Sequence, residues 1–304
     1  LEDIRLPSNP DVPEDMPALA WSGYPELRQY EDVALITAGH LARPNSHLLP
    51  DAKVKELRRA YFAAMSYADD NAGQVISALT DAGLQDNTIV VVWSDHGWSL
   101  GEHGLWDKHT NFFTNTQAPL MFRVPGLTDG GVFTDQITST MDIFPTLVEL
   151  AFGRSMPRCE SDSSATKLCT EGNSLTPLIL SPNTPVKVAA YSVYQRALTS
   201  IPPNASASPA VSLEAPYRDL PLEEDQTSAC IDGTGCVIGY SMLTRLLGCE
   251  LRYTEWVHYE GRNDGWNYWM DTDTVYEREL YNHSCRVADT TLYVDLRENH
   301  NIAG

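Results

Sequence analysis

Residues 94 to 109 hold the densest run of reactive side chains in the chain: Asp95, His96, Glu102, His103, Asp107, Lys108 and His109, spaced by Gly97, Gly101 and Gly104. Three glycines in so short a run permit tight backbone turns. A carboxylate such as Asp95 suits a hard divalent cation, calcium or magnesium. His96 beside it is less expected for those ions and would suit zinc or manganese. Lys108 offers a compact positive charge for an oxyanion, sulfate or phosphate. The plainer alternative is a loop in which Asp95 caps a turn and His96 is packed. Residue chemistry leaves the metal site and the plain loop both open.

These side chains need elements to hold them. Thr88 to Trp93 is a β-branched run ending in Trp, the pattern of a strand covered on both faces, as in a parallel sheet. Asp95 and His96 then fall at its carboxyl end, where α/β sheets bind ligands. Upstream, apolar positions from Val54 to Leu79 recur every three or four residues, predicting a helix over 51–83 with Gly83 as its stop and Gly73 as a candidate break. Helix followed by buried strand is one repeat of an α/β fold. Pro119 to Val124 reads as a further strand and Asp142 to Phe152 as a helix. Leu1 to Pro50 is rich in Pro, Asp and Glu with no clear period, and reads as extended and irregular. Cys236 to Tyr240 and Glu250 to Tyr259 read as strands of a small antiparallel layer. The stretch near 192–227, rich in Pro, Ser and Ala, reads as a long loop or insertion.

Composition narrows the partners. The formal net charge of −20 argues against nucleic acid. It also provides no long-range steering toward a polyanion, so an anionic ligand must be attracted by a local metal and a few cations. No apolar stretch approaches the 18 residues of a membrane span, and the first fifteen residues have no signal-peptide pattern. Six cysteines, Cys159, Cys169, Cys230, Cys236, Cys249 and Cys285, are compatible with disulfides and contain no C-x2-C zinc pair. Asn204 and Asn282 open N-x-[ST] triplets, candidate glycosylation sites. Together these features point to a lysosomal or secreted protein.

The run Ser-Asp-His-Gly-Trp-Ser-Leu-Gly-Glu-His-Gly-Leu-Trp-Asp-Lys over 94–108 resembles the second metal-binding motif of sulfatases of the alkaline-phosphatase superfamily. Its Asp-His pair and following Trp are most similar to the iduronate-2-sulfatase branch. The resemblance continues through 27–33, 58–67, 118–126, 141–147, 239–242, 252–256 and 279–283, in family order. It implies an α/β fold, a sulfatase-type sandwich with a central mixed sheet flanked by helices, and a small C-terminal antiparallel sheet. It divides the chain into 1–155, the C-terminal portion of the catalytic domain, and 156–304, a C-terminal subdomain. Carried over, Asp95 and His96 are calcium ligands and Lys108 is the catalytic residue that contacts the sulfate and stabilises the leaving oxygen. Trp98 and His109 line the sugar subsite, His103 either reaches it or is structural, and Cys159 and Cys169 form a short disulfide loop. The chain departs from the branch at His109, where a Tyr is usual, and at Gln117, where a His is usual.

Sulfatases attack sulfur with a formylglycine made from the Cys of Cys-x-Pro-x-Arg, and no such motif occurs in these 304 residues. The family's N-terminal Asp-Asp metal pair is absent too. The expectation is therefore the C-terminal part of a sulfuric ester hydrolase acting on the 2-sulfate of iduronate in heparan or dermatan sulfate, inactive alone. The missing portion, on the same polypeptide or as a separate processed chain, is its expected partner. Rival expectations are a sulfatase for another sugar or polysaccharide sulfate, a phosphonate or phosphodiester hydrolase, and a non-catalytic protein that binds sulfated glycans.

Overall fold

The computed structural model describes residues 3–22, 24–38, 46–159, 168–197, 236–246, 248–260, 269–284 and 298–303. Among the described residues the helices are α1 (Glu31–Thr37), α2 (Asp51–Asp81), α3 (Phe113–Thr116), α4 (Ile143–Phe152) and α5 (Thr176–Leu180), all of them before the last four strands. The strands are β1 (Val90–Trp93), β2 (Ser99–Leu100), β3 (Trp106–Asp107), β4 (Leu120–Arg123), β5 (Ala189–Ala197), β6 (Cys236–Leu246), β7 (Cys249–Glu260) and β8 (Trp269–Asn282). Asn204, Cys230, Cys285 and most of the stretch near 192–227 lie outside the described residues; 192–197 belong to β5.

The long helix forms where the period places it. α2 runs 31 residues, about 46 Å at 1.5 Å per residue. It passes through Gly73 unbroken, and the Ser77 hydroxyl caps the Gly73 carbonyl at 2.9 Å. The left-handed Gly83 (φ 69°) follows its end and its N–H bonds back to Thr80 O. The irregular reading of 1–50 needs correction. Acidic Glu31 and Asp32 start α1, and its Val33 is fully buried.

The strand over 90–93 exists, but its environment differs from the parallel, doubly covered one expected. β1 pairs antiparallel with β4 in a two-stranded sheet, with Val91 opposite Phe122. Val92 and Trp93 are 40% and 54% exposed. A β-branched run reports that a strand is to be covered, and does not report the direction of its neighbour. Other large apolar side chains are exposed too: Met65, Tyr67, Val75 and Ile76 of α2, Met121 of β4, and Phe144 and Phe152 of α4.

β5 to β8 form one antiparallel sheet in sequential order, with a bulge near Val257. Its Val237, Trp256 and Tyr281 share a core with Ala20, Trp21, Tyr24, Leu105, Trp106 and Phe112. Gly239 makes that packing fit, because a Cβ there would meet the Trp256 ring at 2.8 Å. The Cys159–Cys169 disulfide closes its short loop, Cα atoms 4.9 Å apart, and Cys249 is also disulfide-bonded. Among the described residues no helix is long and apolar enough to cross a membrane.

Candidate active site

A small hairpin positions the reactive run. Ser99 pairs with Asp107 and Leu100 with Trp106, across a turn built on left-handed Gly101 (φ 100°), His103 (φ 57°) and Gly104 (φ 64°). Leu105 and Trp106 bury the hairpin's underside. In this register Trp98 immediately precedes one strand and Lys108 immediately follows the other, so the two come together. Lys108 Nζ lies 5.9 Å from the Trp98 ring centroid, a cation–π arrangement. Trp98 stacks at 6.1 Å on Tyr61 of α2, and Arg58 of α2 donates to Leu100 O and Glu102 Oε1 at 2.8 and 3.0 Å.

Asp95 and His96 sit on the loop after β1. Gly97 lets that loop press onto α3, since a Cβ there would stand 2.1 Å from Thr114 O. His96 Nδ1 bonds Gly97 O at 2.8 Å, and its Nε2 lies 3.3 Å from Asp95 Oδ2. The Asp95 side chain is 80% exposed. The carboxylate is the right donor for calcium, but calcium takes about six to eight oxygens. Among the described residues no cluster of three or more metal-ligating side chains exists. The two side chains alone do not make a calcium cage.

The loop after Lys108 is bolted to the large sheet. Asn111 donates to Gly239 O at 2.8 Å and accepts from Ser192 at 3.0 Å. Arg196, buried in β5, donates to His109 O. Asn115 Nδ2 holds Asp107 O at 3.0 Å. Asp107 is itself buried. Burial pushes its carboxyl up to about 6, against the N–H groups of Leu27 and Glu26 that favour its charged form. Burial, and then the Asp107 charge, raise the nearby Tyr24 phenol well above its usual range.

Two expected site residues lie elsewhere. His103 is 1% exposed and packs 4.8 Å from the Phe112 ring, because the left-handed turn tucks its imidazole inward; its N–H bonds Asn9 O at 2.8 Å. It packs into the interior beneath the hairpin, the structural role that the sequence left open. Asn282 is 1% exposed at the end of β8, and a glycan needs its amide outside the core. Conversely, Glu26, Tyr194 and Arg196 stand beside Lys108 and His109, and no local pattern marks them. They meet the site only through contacts 82 to 87 residues apart.

The residues around this hairpin define a recognisable class. Residues 9–153 match the sulfatase family model, described simply as Sulfatase, and the chain belongs to that family. It is 31% identical to the iduronate 2-sulfatase of Mus musculus over 93% of this chain and 54% of that protein. A choline-sulfatase of Rhizobium meliloti is 39% identical over 42% of this chain and 23% of its own length. The chain thus spans about half the length of the iduronate sulfatase it matches. A structure solved in complex with its substrate D-glucosamine-2-N,6-O-disulfate superposes with a TM-score of 0.54 at 22% identity, covering 92% of this chain and 42% of the other. That likeness shows the sulfatase and alkaline-phosphatase type of α/β fold, here with the four-stranded antiparallel sheet.

Proposed function

We propose that this chain supplies the leaving-group side of a sulfuric ester hydrolase site, and that its substrate is the 2-sulfate of iduronate in a sulfated glycosaminoglycan. The observation that supports the reading is the hairpin that stands Lys108 beside Trp98 and His109 on one surface. Lys108 Nζ–H groups would bind the sulfate and donate to the ester oxygen as negative charge develops there. Trp98, stiffened by Tyr61, would offer a flat apolar face to a sugar ring, with His109 at its edge. Asp95 and His96 would contribute two ligands to calcium, which when bound would neutralise sulfate oxygens. No nucleophile of the Cys-x-Pro-x-Arg kind is present in the sequence.

We further propose a partner for the exposed apolar side chains of α2, β1, β4 and α4: the remaining part of a sulfatase domain, with the other metal ligands and the nucleophile. Contiguous exposed apolar surface marks interaction sites. The division near residue 155 would then separate that two-part catalytic layer from the antiparallel sheet. The Cys159–Cys169 disulfide supports an oxidising compartment, lysosomal or extracellular.

The test uses the whole chain and a heparin-derived disaccharide bearing a 2-sulfated iduronate, with its desulfated counterpart as control, followed by side-chain NMR. The sulfated disaccharide is expected to shift Lys108 and Trp98 signals, with Lys108→Ala removing the response. Equal responses to both disaccharides would overturn the reading.

A further inference from the structure

At the Lys108 end of the hairpin one carboxylate faces the Lys108 ammonium and the His109 imidazole. Glu26 Oε1 lies 3.2 Å from Lys108 Nζ and 3.5 Å from His109 Nε2. On its other side the His109 ring, through Nδ1, is hydrogen-bonded to the Tyr194 hydroxyl, and the two rings meet edge-on at 5.4 Å. Arg196 lies 4.3 Å over the Tyr194 ring and fixes it from behind. Lys108, Glu26, His109 and Tyr194 therefore form one continuous polar row.

Glu26 is held there. Asp107 Oδ2 accepts the backbone N–H of Glu26 at 3.0 Å and of Leu27 at 3.2 Å. Asp107 is 1% exposed, so the fold keeps a buried carboxylate in order to pin the segment that presents Glu26. The Glu26 and Lys108 side chains are 35% and 34% exposed. A pair so open to solvent contributes little stability. Its effect is on what approaches Lys108. A carboxylate accepts hydrogen bonds from hydroxyl groups and repels a second anion.

We propose that Glu26 is a positioning residue that sets Lys108 and His109 side by side and, with Tyr194, fixes the substrate class. The site admits a sulfate ester whose neighbouring ring carbon bears a free hydroxyl, which donates to Glu26. It refuses one whose neighbouring carbon carries another sulfate, because Glu26 repels it. The proposal rests on the sulfatase reading above and narrows it to substrates with an unsulfated hydroxyl beside the scissile ester.

The test follows the Lys108 and His109 side-chain NMR signals of the whole chain during titration with inorganic sulfate, a monosulfated sugar with an adjacent free hydroxyl, and the vicinal disulfate. The wild-type chain is expected to bind the monosulfate about fivefold more tightly than the disulfate, the upper end of the scale for one solvent-exposed charge pair. Glu26→Gln should bring that ratio below about twofold and tighten inorganic sulfate severalfold, while Glu26→Asp keeps the preference. Tyr194→Phe should weaken the monosulfate and leave inorganic sulfate unchanged. Far-UV circular dichroism matched to wild type excludes misfolding as the cause, and the Asp variant keeps the test sharp if the Gln variant unfolds. A preference that persists in Glu26→Gln while sulfate still shifts Lys108 overturns this proposal alone. A wild-type chain whose Lys108 answers none of the three probes overturns the sulfatase reading and this proposal with it.

Discussion

Replacing Glu298 should cost more stability than any other single polar change in the described residues. Its Oε1 accepts from Arg252 Nε at 2.5 Å and meets His283 Nε2 at 2.8 Å, and its Oε2 accepts the Phe113 N–H at 2.8 Å. Glu279 completes the cluster, 3.4 Å from Arg252 Nη2, and takes the Trp256 indole N–H at 2.9 Å. Glu298, His283 and Glu279 are each 1% exposed and Arg252 is 2% exposed. Burial alone would push the Glu298 carboxyl up; Arg252 and His283 reverse this and hold it at about 2, against an ordinary 4.5. At about 1.36 kcal/mol per pH unit that displacement is about 3 kcal/mol. Breaking a buried ion pair by removing one partner costs about 3–5 kcal/mol, because the surviving charges are stranded. Glu298→Gln is therefore expected to lose about 3 kcal/mol and Glu298→Ala somewhat more, out of a total of about 5–15 kcal/mol. Urea unfolding followed by tryptophan fluorescence measures this, with buried Trp21 and Trp256 as reporters. Adding Arg252→Met should recover part of the loss, since it removes the stranded cation. A loss below about 1 kcal/mol for Glu298→Gln would refute the reasoning.

The same cluster fixes a pH window. Burial pushes the His283 imidazole down, but its bonds to Glu250 and Glu298 raise it to about 9 from 6.5, so its stabilisation is complete below 6.5 and lost as pH rises through 9. Glu298 works oppositely, complete above 4.5 and lost as pH falls through 2. Buried Asp107, raised from 3.8 to about 6, stabilises below 3.8 and loses that contribution as pH rises through 6. Urea midpoints should therefore peak at mildly acidic pH, and a steady rise from pH 5 to 9 would contradict this. Gly97→Ala should cost about 1–3 kcal/mol in thermal melts, because its Cβ meets the backbone carbonyl of Thr114 at 2.1 Å and that of Gln117 at 2.9 Å; an unchanged melting temperature would count against the close approach. The native chain should bind an apolar dye such as ANS through the exposed face of α2, β1, β4 and α4, and Tyr67→Lys with Val75→Lys should reduce the dye fluorescence.

What the sequence made legible was local. The period of α2 and the turns at Gly101 and Gly104 each act within a few residues, and they appear where expected. The Cys159–Cys169 pairing was implied by resemblance and is present. The direction of β1 was not legible, because an uninterrupted Val-Val-Val-Trp run encodes burial without naming a neighbour. β8 escaped notice because Asp and Glu interrupt its apolar positions, among them Glu279, which is buried against Arg252. The burial of His103 and Asn282 was not legible for one reason: a motif or a triplet is a rule of sequence neighbours, whereas their burial is decided by Phe112 and by the packing of a strand end. Glu26 and Tyr194 were invisible for the converse reason, since they join Lys108 and His109 only when distant segments meet.

The described ends of this chain lie against each other. Glu14 bridges to His300, 286 residues on, through Glu14 N–H to Asn299 O and the Glu14 carboxylate to the His300 ring, and Asn301 donates to Asp15 O. Closing so long a loop costs about 5 kcal/mol in chain entropy, recovered only when the last residues dock. Glu298, in that final segment, holds the Phe113 N–H that starts the helix behind Lys108. The loop that follows Lys108 is therefore fastened only once residues 298–303 have docked. Removing Glu298 would keep every motif of the candidate site and lose the clasp that sets it.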